Sequence, residues 1–123
     1  MTNDRLSALQ VAVLTAYSAG MSAGQMLFKV AANRSNPNQP LSWRLLDLIQ
    51  DLYFLAALVL YGAFAVLWVW ILTMTPLSRA YPFVALAFVV TPVLGALLFN
   101  EAISMRLLVG IALILCGLLL VAV

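Results

Sequence analysis

The sequence contains no histidine and a single cysteine, Cys116. Catalysis through imidazole, metal sites built from cysteine and histidine, and a disulfide framework within the chain are therefore not expected. Charged residues are also scarce, at 8% of 123 residues, with six Lys and Arg against four Asp and Glu. This small positive excess gives no reason to expect a nucleic-acid partner. No nucleophile, base or metal set is present either, so we expect no enzyme and no cofactor.

Hydrophobic residues make up 66% of the chain, and its mean hydropathy is +1.12. A soluble domain of this size would not bury so much apolar surface. We therefore predict a single all-α membrane domain over residues 1–123. Because one membrane-spanning helix needs about 20 apolar residues, the length predicts four transmembrane helices, at about residues 6–32, 45–73, 79–98 and 104–123.

A stripe of polar residues runs through the first predicted span, formed by Thr15, Ser18, Ser22, Gln25 and Lys29. Spacings of three and four place all five on one helical face. Small residues four apart mark the opposite face, where another membrane helix can approach closely: Ala12, Ala16, Gly20 and Gly24. The pattern indicates a helix that lines a polar cavity. Lys29 lies close to the following polar loop, so snorkelling to the membrane surface is an alternative interpretation.

The second predicted span begins after Ser42, a candidate helix cap. Arg44, Asp47 and Asp51 then fall on its first turns. We interpret these three as solvated charges that complement the helix dipole, rather than as a site. An aromatic face further along the span is better explained by packing than by a groove for a lipid tail; it comprises Tyr61, Phe64 and Trp68.

The third predicted span contains two prolines, Pro82 near its start and Pro92 in its middle. Each removes a backbone donor and favours a kink, so both are candidate hinges, and the deeper Pro92 is the better one. Arg79 and Tyr81 lie near the membrane interface, where a snorkelling arginine and an aromatic anchor are common.

The last predicted span follows a short connection containing Glu101, with Ser104 as its candidate cap and Arg106 in its first turn. Gly110 and Gly117 are seven residues apart and share one face, which suits a helix-helix contact in lipid. Four helices enclose little space, so we expect a dimer through this face, either with a second copy or with a small homologue.

Several short motifs, in this order, resemble a known family. They are Gly24–Lys29, Pro76 followed by Ala80–Pro82, and Asn100–Glu101 followed by Ser104, Arg106, Gly110 and Gly117. The chain resembles small multidrug resistance and EamA-like members of the drug/metabolite transporter superfamily. Within it, the chain looks most like the flippase subunits that move aminoarabinose-phosphoundecaprenol across the bacterial inner membrane.

Two departures bear on the subfamily. The small multidrug exporters rely on a membrane-embedded glutamate in their first span, and aligning the Lys29 ends puts Met21 at that position. No Asp or Glu occurs between Leu6 and Ala32, so proton-coupled export of cations lacks its central group. Arg79 stands where the flippase subunits usually have an apolar residue.

The resemblance implies a flippase subunit for a polyprenyl phosphate-linked sugar, located in the bacterial inner membrane. Lys29, Arg106 and Arg79 would contact the phosphate, the neutral stripe would contact the sugar, and Glu101 would accept from the sugar or pair with Arg106. The full expected binding set is Lys29, Gln25, Ser22, Ser18, Tyr81, Glu101, Arg106 and Arg79. The alternatives are a small exporter of cationic compounds and a non-transporting partner of a membrane glycosyltransferase.

Overall fold

The computed structural model describes residues 6–122, and every regular element in that range is an α-helix. Residue 123, at the end of the fourth predicted span, lies outside the described range. In chain order the helices are α1 (Ala8–Arg34), α2 (Leu41–Gln50), α3 (Leu52–Met74), α4 (Leu77–Val84), α5 (Ala87–Phe99) and α6 (Met105–Ala122). The predicted all-α class is confirmed for these residues.

Within residues 6–122, three segments are long and apolar enough to cross a membrane: Ala8–Arg34, Leu52–Met74 and Leu77–Phe99. The last of these comprises α4 and α5. Helix α6 is apolar but shorter, with 18 residues, or about 27 Å at the α-helical rise. The fourth membrane crossing therefore stays a prediction.

The second predicted span is wrong at its N-terminal end, because residues 45–50 belong to a separate helix. Helix α2 has 10 residues, about 15 Å, which is too short to cross hydrocarbon. It begins directly after Pro40, so Ser42 lies inside the helix and makes no capping hydrogen bond. Trp43 and Ile49 on α2 are exposed.

Asp51 separates α2 from α3 and has a structural role that the sequence analysis missed. Its Oδ1 accepts from the backbone N–H of Tyr53 at 2.9 Å and of Phe54 at 3.2 Å, which caps α3. Its Oδ2 accepts from Arg34 Nε at 2.9 Å. Asp51 is thus not a solvated charge, since its side chain is 12% exposed and joins the end of α1 to the start of α3.

Helices α1 and α3 form the main interface of the fold, built from glycines on α1 and aromatic rings on α3. A Cβ atom at Gly20 would collide with the Phe64 ring, and one at Gly24 would lie 2.6 Å from Tyr61 Cε2. Tyr17 stacks on Trp68, with ring centroids 5.0 Å apart. The predicted close approach of another helix to the small-residue face therefore occurs, and the aromatic face of α3 packs as predicted.

The buried core lies at the end of the bundle where α1 begins. It consists of Leu14, Tyr17, Ile71, Ala80 and Phe83. Gln10 fastens the same end, because its Nε2 donates to the Met74 carbonyl at 2.8 Å and to Thr75 Oγ1 at 3.1 Å. This end of the molecule is closed.

The third predicted span is interrupted between its two prolines. Helix α4 ends at Val84 and α5 begins at Ala87. The backbone N–H groups of Ala85 and Leu86 bond to carbonyls only three residues back, each at 3.0 Å, which is 3₁₀ geometry. The interruption follows Pro82, whereas Pro92 lies inside α5. That either proline acts as a hinge stays a prediction.

Candidate functional site

A groove between α1 and α5 is the candidate site, because a cation, a carboxylate and an amide side chain line it together. It consists of two adjoining cavities of about 330 Å³ and 390 Å³, within the range of roughly 300–1,000 Å³ typical of small-molecule sites. Gln25, Thr91 and Pro92 line both cavities. We call this space the α1–α5 groove.

The cavity nearer the middle of the bundle is mostly apolar. Its remaining lining residues are Met21, Val84, Ala87 and Phe88. Pro92 has no backbone N–H to donate to the Phe88 carbonyl, so the proline interrupts the hydrogen-bond ladder of α5 beside the groove. Thr91 Oγ1 donates to Ser22 Oγ at 3.1 Å, which fixes α5 against α1 at this depth.

The second cavity forms the mouth of the groove and contains an ion pair. Lys29 Nζ lies 3.1 Å from Glu101 Oε1, and the two side chains are 44% and 48% exposed. The other lining residues that complete this cavity are Met26, Gly95, Phe99 and Leu107. Apolar walls therefore surround one cation and one anion that contact each other.

The position of Glu101 follows from the local backbone. Asn100 ends α5 in the left-handed conformation, with φ 53° and ψ 36°, which asparagine adopts more readily than most residues. The turn brings the Glu101 side chain back over Gly95. A Cβ atom at Gly95 would lie 2.8 Å from Glu101 Oε2, so the absence of a side chain there gives the carboxylate its place.

Gln25 lies between the two cavities and is held by α3. Its Nε2 donates to the Tyr61 hydroxyl at 2.6 Å, and that hydroxyl donates to the Met21 carbonyl at 3.3 Å. The Gln25 side chain is thus oriented at the groove wall, where a hydrogen-bonding ligand would meet it.

The structure brings together three of the expected binding residues: Lys29, Gln25 and Glu101. Ser18 and Ser22, expected to line a cavity, are instead buried. Ser18 Oγ lies 2.6 Å from the Phe83 carbonyl and 3.0 Å from the Leu14 carbonyl. Ser22 Oγ donates to the Ser18 carbonyl at 3.2 Å. These short hydroxyls join helices and do not open on the groove, because α4 and α5 cover them.

The other three expected residues lie elsewhere. Arg79 and Tyr81 are on α4, at the opposite end of α1 from Lys29; Tyr81 is exposed and its ring lies edge-on to Trp68. Arg106 is exposed in the first turn of α6, beside Leu107 of the groove mouth. The expected pairing of Glu101 with Arg106 is replaced by pairing with Lys29. Gly95 and Thr91 were missed, since neither a lone glycine nor a lone threonine in an apolar helix indicates a site.

Helix α6 has a capped start and one open face. Ser104 Oγ accepts from the Leu107 backbone N–H at 3.2 Å, so Ser104 caps α6 as predicted. Ideal Cβ positions at Gly110 and Gly117 meet nothing within 4 Å, so this face of α6 is open.

A separate cavity of about 260 Å³ lies between α1, α2 and α3. Its polar side chains, Ser35 and Arg44, bond to each other through Arg44 Nε and Ser35 Oγ at 3.3 Å. It lacks the combination of amide, cation and carboxylate found in the α1–α5 groove, which is therefore the better candidate.

Comparison with known proteins identifies three similar proteins. A protein of Enterobacter sp. (strain 638) is 31% identical over 97 residues, covering 79% of this chain and 81% of the relative. One of Sodalis glossinidius (strain morsitans) is 32% identical over 95 residues, covering 77% and 80%. One of Proteus mirabilis (strain HI4320) is 30% identical over 70 residues, covering 57% of this chain and 62% of the relative.

All three relatives are named "Probable 4-amino-4-deoxy-L-arabinose-phosphoundecaprenol flippase subunit ArnE". No solved structure matches the chain. The family model described as the EamA-like transporter family matches residues 2–123. With a match over nearly its whole length, the chain belongs to the EamA-like transporter family.

Proposed function

We propose that this chain is a subunit of a flippase that moves a polyprenyl phosphate-linked sugar across the bacterial inner membrane. The observation that carries the proposal is the position of Lys29 at the mouth of the α1–α5 groove. The names of the three relatives support the same substrate class.

The groove offers a contact for each part of such a lipid. A phosphate prefers cationic donors, and an ammonium near the membrane edge provides a charge-assisted hydrogen bond that strengthens as water is excluded. Lys29 supplies this group. Gln25 and Thr91 provide neutral hydrogen-bonding groups deeper in the groove for a sugar, and the apolar walls continue toward lipid, where the tail would remain.

Transport of this kind breaks no covalent bond. The protein lowers the barrier for a polar head to enter hydrocarbon by replacing water with fixed donors and acceptors. Movement of the head past the closed end requires α4 and α5 to separate from the first half of α1. The interruption between α4 and α5, at Ala85 and Leu86, and the proline at 92 are where we expect this movement to occur.

A partner subunit is part of the proposal. One side of the α1–α5 groove is open in the single chain, and the α6 face containing Gly110 and Gly117 is uncovered. Small residues on a membrane helix allow close packing against a second helix. We propose that this face contacts a second copy or a small homologue.

One observation favours the cation exporter as a second candidate, because Glu101 places a carboxylate in the groove. Against it, Glu101 is already paired with Lys29, and α1 contributes no carboxylate to the groove. An exporter that binds cations at this position would have to remove Lys29 from Glu101 first.

The experiment is reconstitution of the purified protein in liposomes with a labelled polyprenyl phosphate sugar. We expect accelerated flipping, abolished by Lys29→Ala and reduced by Arg106→Ala, with unchanged oligomeric state in detergent. Arg44→Ala is the matched control, since Arg44 is a cation at the same end of the molecule but outside the groove. Full activity of both Lys29→Ala and Arg106→Ala would disprove the phosphate role.

The same preparation separates the alternatives. Proton-coupled uptake of a lipophilic cation, without lipid flipping, would support the exporter. Stable binding to a membrane glycosyltransferase, with neither transport activity, would support the non-transporting partner.

A further inference from the structure

Glu101 occupies the position next to Lys29 that an anionic ligand would need. The Lys29 ammonium and Glu101 Oε1 are 3.1 Å apart, and Lys29 is the one cation among the described residues that line the α1–α5 groove. A phosphate cannot take the same side of this ammonium while the carboxylate remains there, since two anions placed side by side against one cation repel each other.

The arrangement that holds Glu101 is built into the backbone. The left-handed turn at Asn100 directs the chain back toward α5, and Gly95 leaves room for Glu101 Oε2. The glycine is buried within α5, where its intrinsic helix propensity is poor. The Glu101 carboxylate lies where a side chain at position 95 would begin, which explains why a residue of low helix propensity is found there.

We infer that Glu101 is a built-in counter-anion: it neutralises Lys29 when the groove is empty, and an incoming phosphate displaces it. Gly95 is then a positioning residue that sets how well the carboxylate competes. The identity of the displacing anion as a lipid phosphate rests on the proposed function, whereas competition between Glu101 and an anion for Lys29 does not.

Such competition would help transport in a specific way. A transporter must bind its cargo well enough to capture it and weakly enough to release it. A tethered carboxylate returns to Lys29 as the phosphate leaves, so the ammonium is not left unpaired at the membrane edge. Removal of the carboxylate should therefore tighten binding and slow release.

The test measures binding of farnesyl phosphate, a short polyprenyl monophosphate without a sugar, to the detergent-solubilised full chain. We expect Glu101→Gln to bind up to about fivefold tighter than the unmodified chain, the upper size expected for removal of a partly exposed ion pair. Lys29→Gln should lose binding, and the double variant should behave like Lys29→Gln, because the carboxylate matters only while the ammonium is present.

Two further variants separate displacement from a general change of charge. Asp47→Asn removes an exposed carboxylate at the same end of the molecule, outside the groove, and should change the affinity by less than about twofold. Gly95→Ala keeps the Glu101 charge but places a Cβ atom 2.8 Å from Glu101 Oε2, so the carboxylate must shift. We expect it to tighten binding less than Glu101→Gln does, because the end of this flexible side chain can move and keep part of its contact with Lys29. Gly62→Ala is its control, because a Cβ atom there meets nothing within 4 Å.

Equal or weaker binding of farnesyl phosphate by Glu101→Gln would overturn the inference. The inference would also fail if Glu101→Gln lost binding only of polyprenyl phosphates that carry an amine, because Glu101 would then be a ligand for the amine. If Glu101→Gln binds no tighter while the unmodified chain flips a lipid-linked sugar, the inference fails and the proposed function stands. If Glu101→Gln binds farnesyl phosphate tighter but the unmodified chain does not flip a lipid-linked sugar, the proposed function fails and the counter-anion role stands.

Discussion

The two halves of the polar face of α1 have the same residue spacing but different surroundings. In the first half, Ser18 and Ser22 are 1% and 0% exposed. In the second half, Gln25 and Lys29 border the α1–α5 groove. Neighbouring helices therefore cover the stripe at Ser18 and Ser22, whereas the stripe is open at Gln25 and Lys29.

Side-chain length explains much of this difference. A serine hydroxyl is short and reaches only its own helix or a group that packs directly against it. Ser18 Oγ meets the Phe83 carbonyl near the end of α4, and Ser22 Oγ accepts from Thr91 Oγ1 of α5. Gln25 and Lys29 extend further, and each bonds to a side chain on another segment, Tyr61 or Glu101. Short polar residues in a membrane helix can thus join helices, whereas long ones can line the space between them.

The largest expected effect comes from enlarging Gly20, because both halves of α1 depend on its contact with α3. Gly20→Leu would force a side chain into the Phe64 ring. We expect destabilisation of about 1–3 kcal/mol or more, as in other overpacked interiors, measured by thermal unfolding in detergent. Unfolding should disrupt the packing around both halves of the polar face in a single transition.

Gly62→Leu is the control for that change. Gly62 is on α3, and no atom lies within 4 Å of its ideal Cβ position. We expect little change in thermal stability. Equal destabilisation by both variants would mean that the effect comes from any large residue in these helices, and not from the α1–α3 contact.

Residue spacing predicted which face of α1 is polar, but not which part of that face is open. Ser18 and Ser22 are buried because α4 and α5 pack over them. The residue that Ser18 contacts, Phe83, is 65 positions away in the sequence. The Lys29 to Glu101 pair likewise depends on a left-handed residue at Asn100. Such long-range pairings leave no periodic signal, so the sequence favoured the neighbouring Arg106 as the partner of Glu101.

Boundaries at the start of the second span failed for a related reason. Asp51 follows a charged and amphipathic segment, so its spacing from Asp47 matched a continuing helix. Its capping role appears only when Tyr53, Phe54 and Arg34 are all in place. The family resemblance, by contrast, rested on local motifs and is confirmed.

A smaller effect is expected from the closed half of the stripe. Ser18→Ala removes the hydroxyl that contacts the Phe83 carbonyl, and interhelical hydrogen bonds of this kind contribute roughly 0.6–1.7 kcal/mol in membranes. Thermal stability should fall by about that amount, while flipping per folded molecule should change little. Thr15→Ala is the matched control, because the exposed Thr15 hydroxyl donates only to Val11 of its own helix, at 2.8 Å. A larger loss of flipping than of stability in Ser18→Ala would indicate that the closed half contacts the cargo directly.

The smallest effect on stability, and the one that sharpens the comparison most, is expected at Gln25 in the open half. Gln25→Leu keeps similar bulk but removes the amide shared by both cavities of the groove. Stability should change by less than about 1 kcal/mol, since the Tyr61 hydroxyl can still donate to Met21. Flipping of a labelled polyprenyl phosphate sugar should nevertheless fall several-fold, because the sugar loses its hydrogen-bonding partner midway along the groove.

Tyr61→Phe tests whether Gln25 acts on the cargo or only by joining α1 to α3. It removes the hydroxyl that holds Gln25 but leaves the amide in the groove, so it should retain more activity than Gln25→Leu. If the two variants lose activity equally, the amide acts by joining α1 to α3, and the open half would then be structural in the same sense as the closed one.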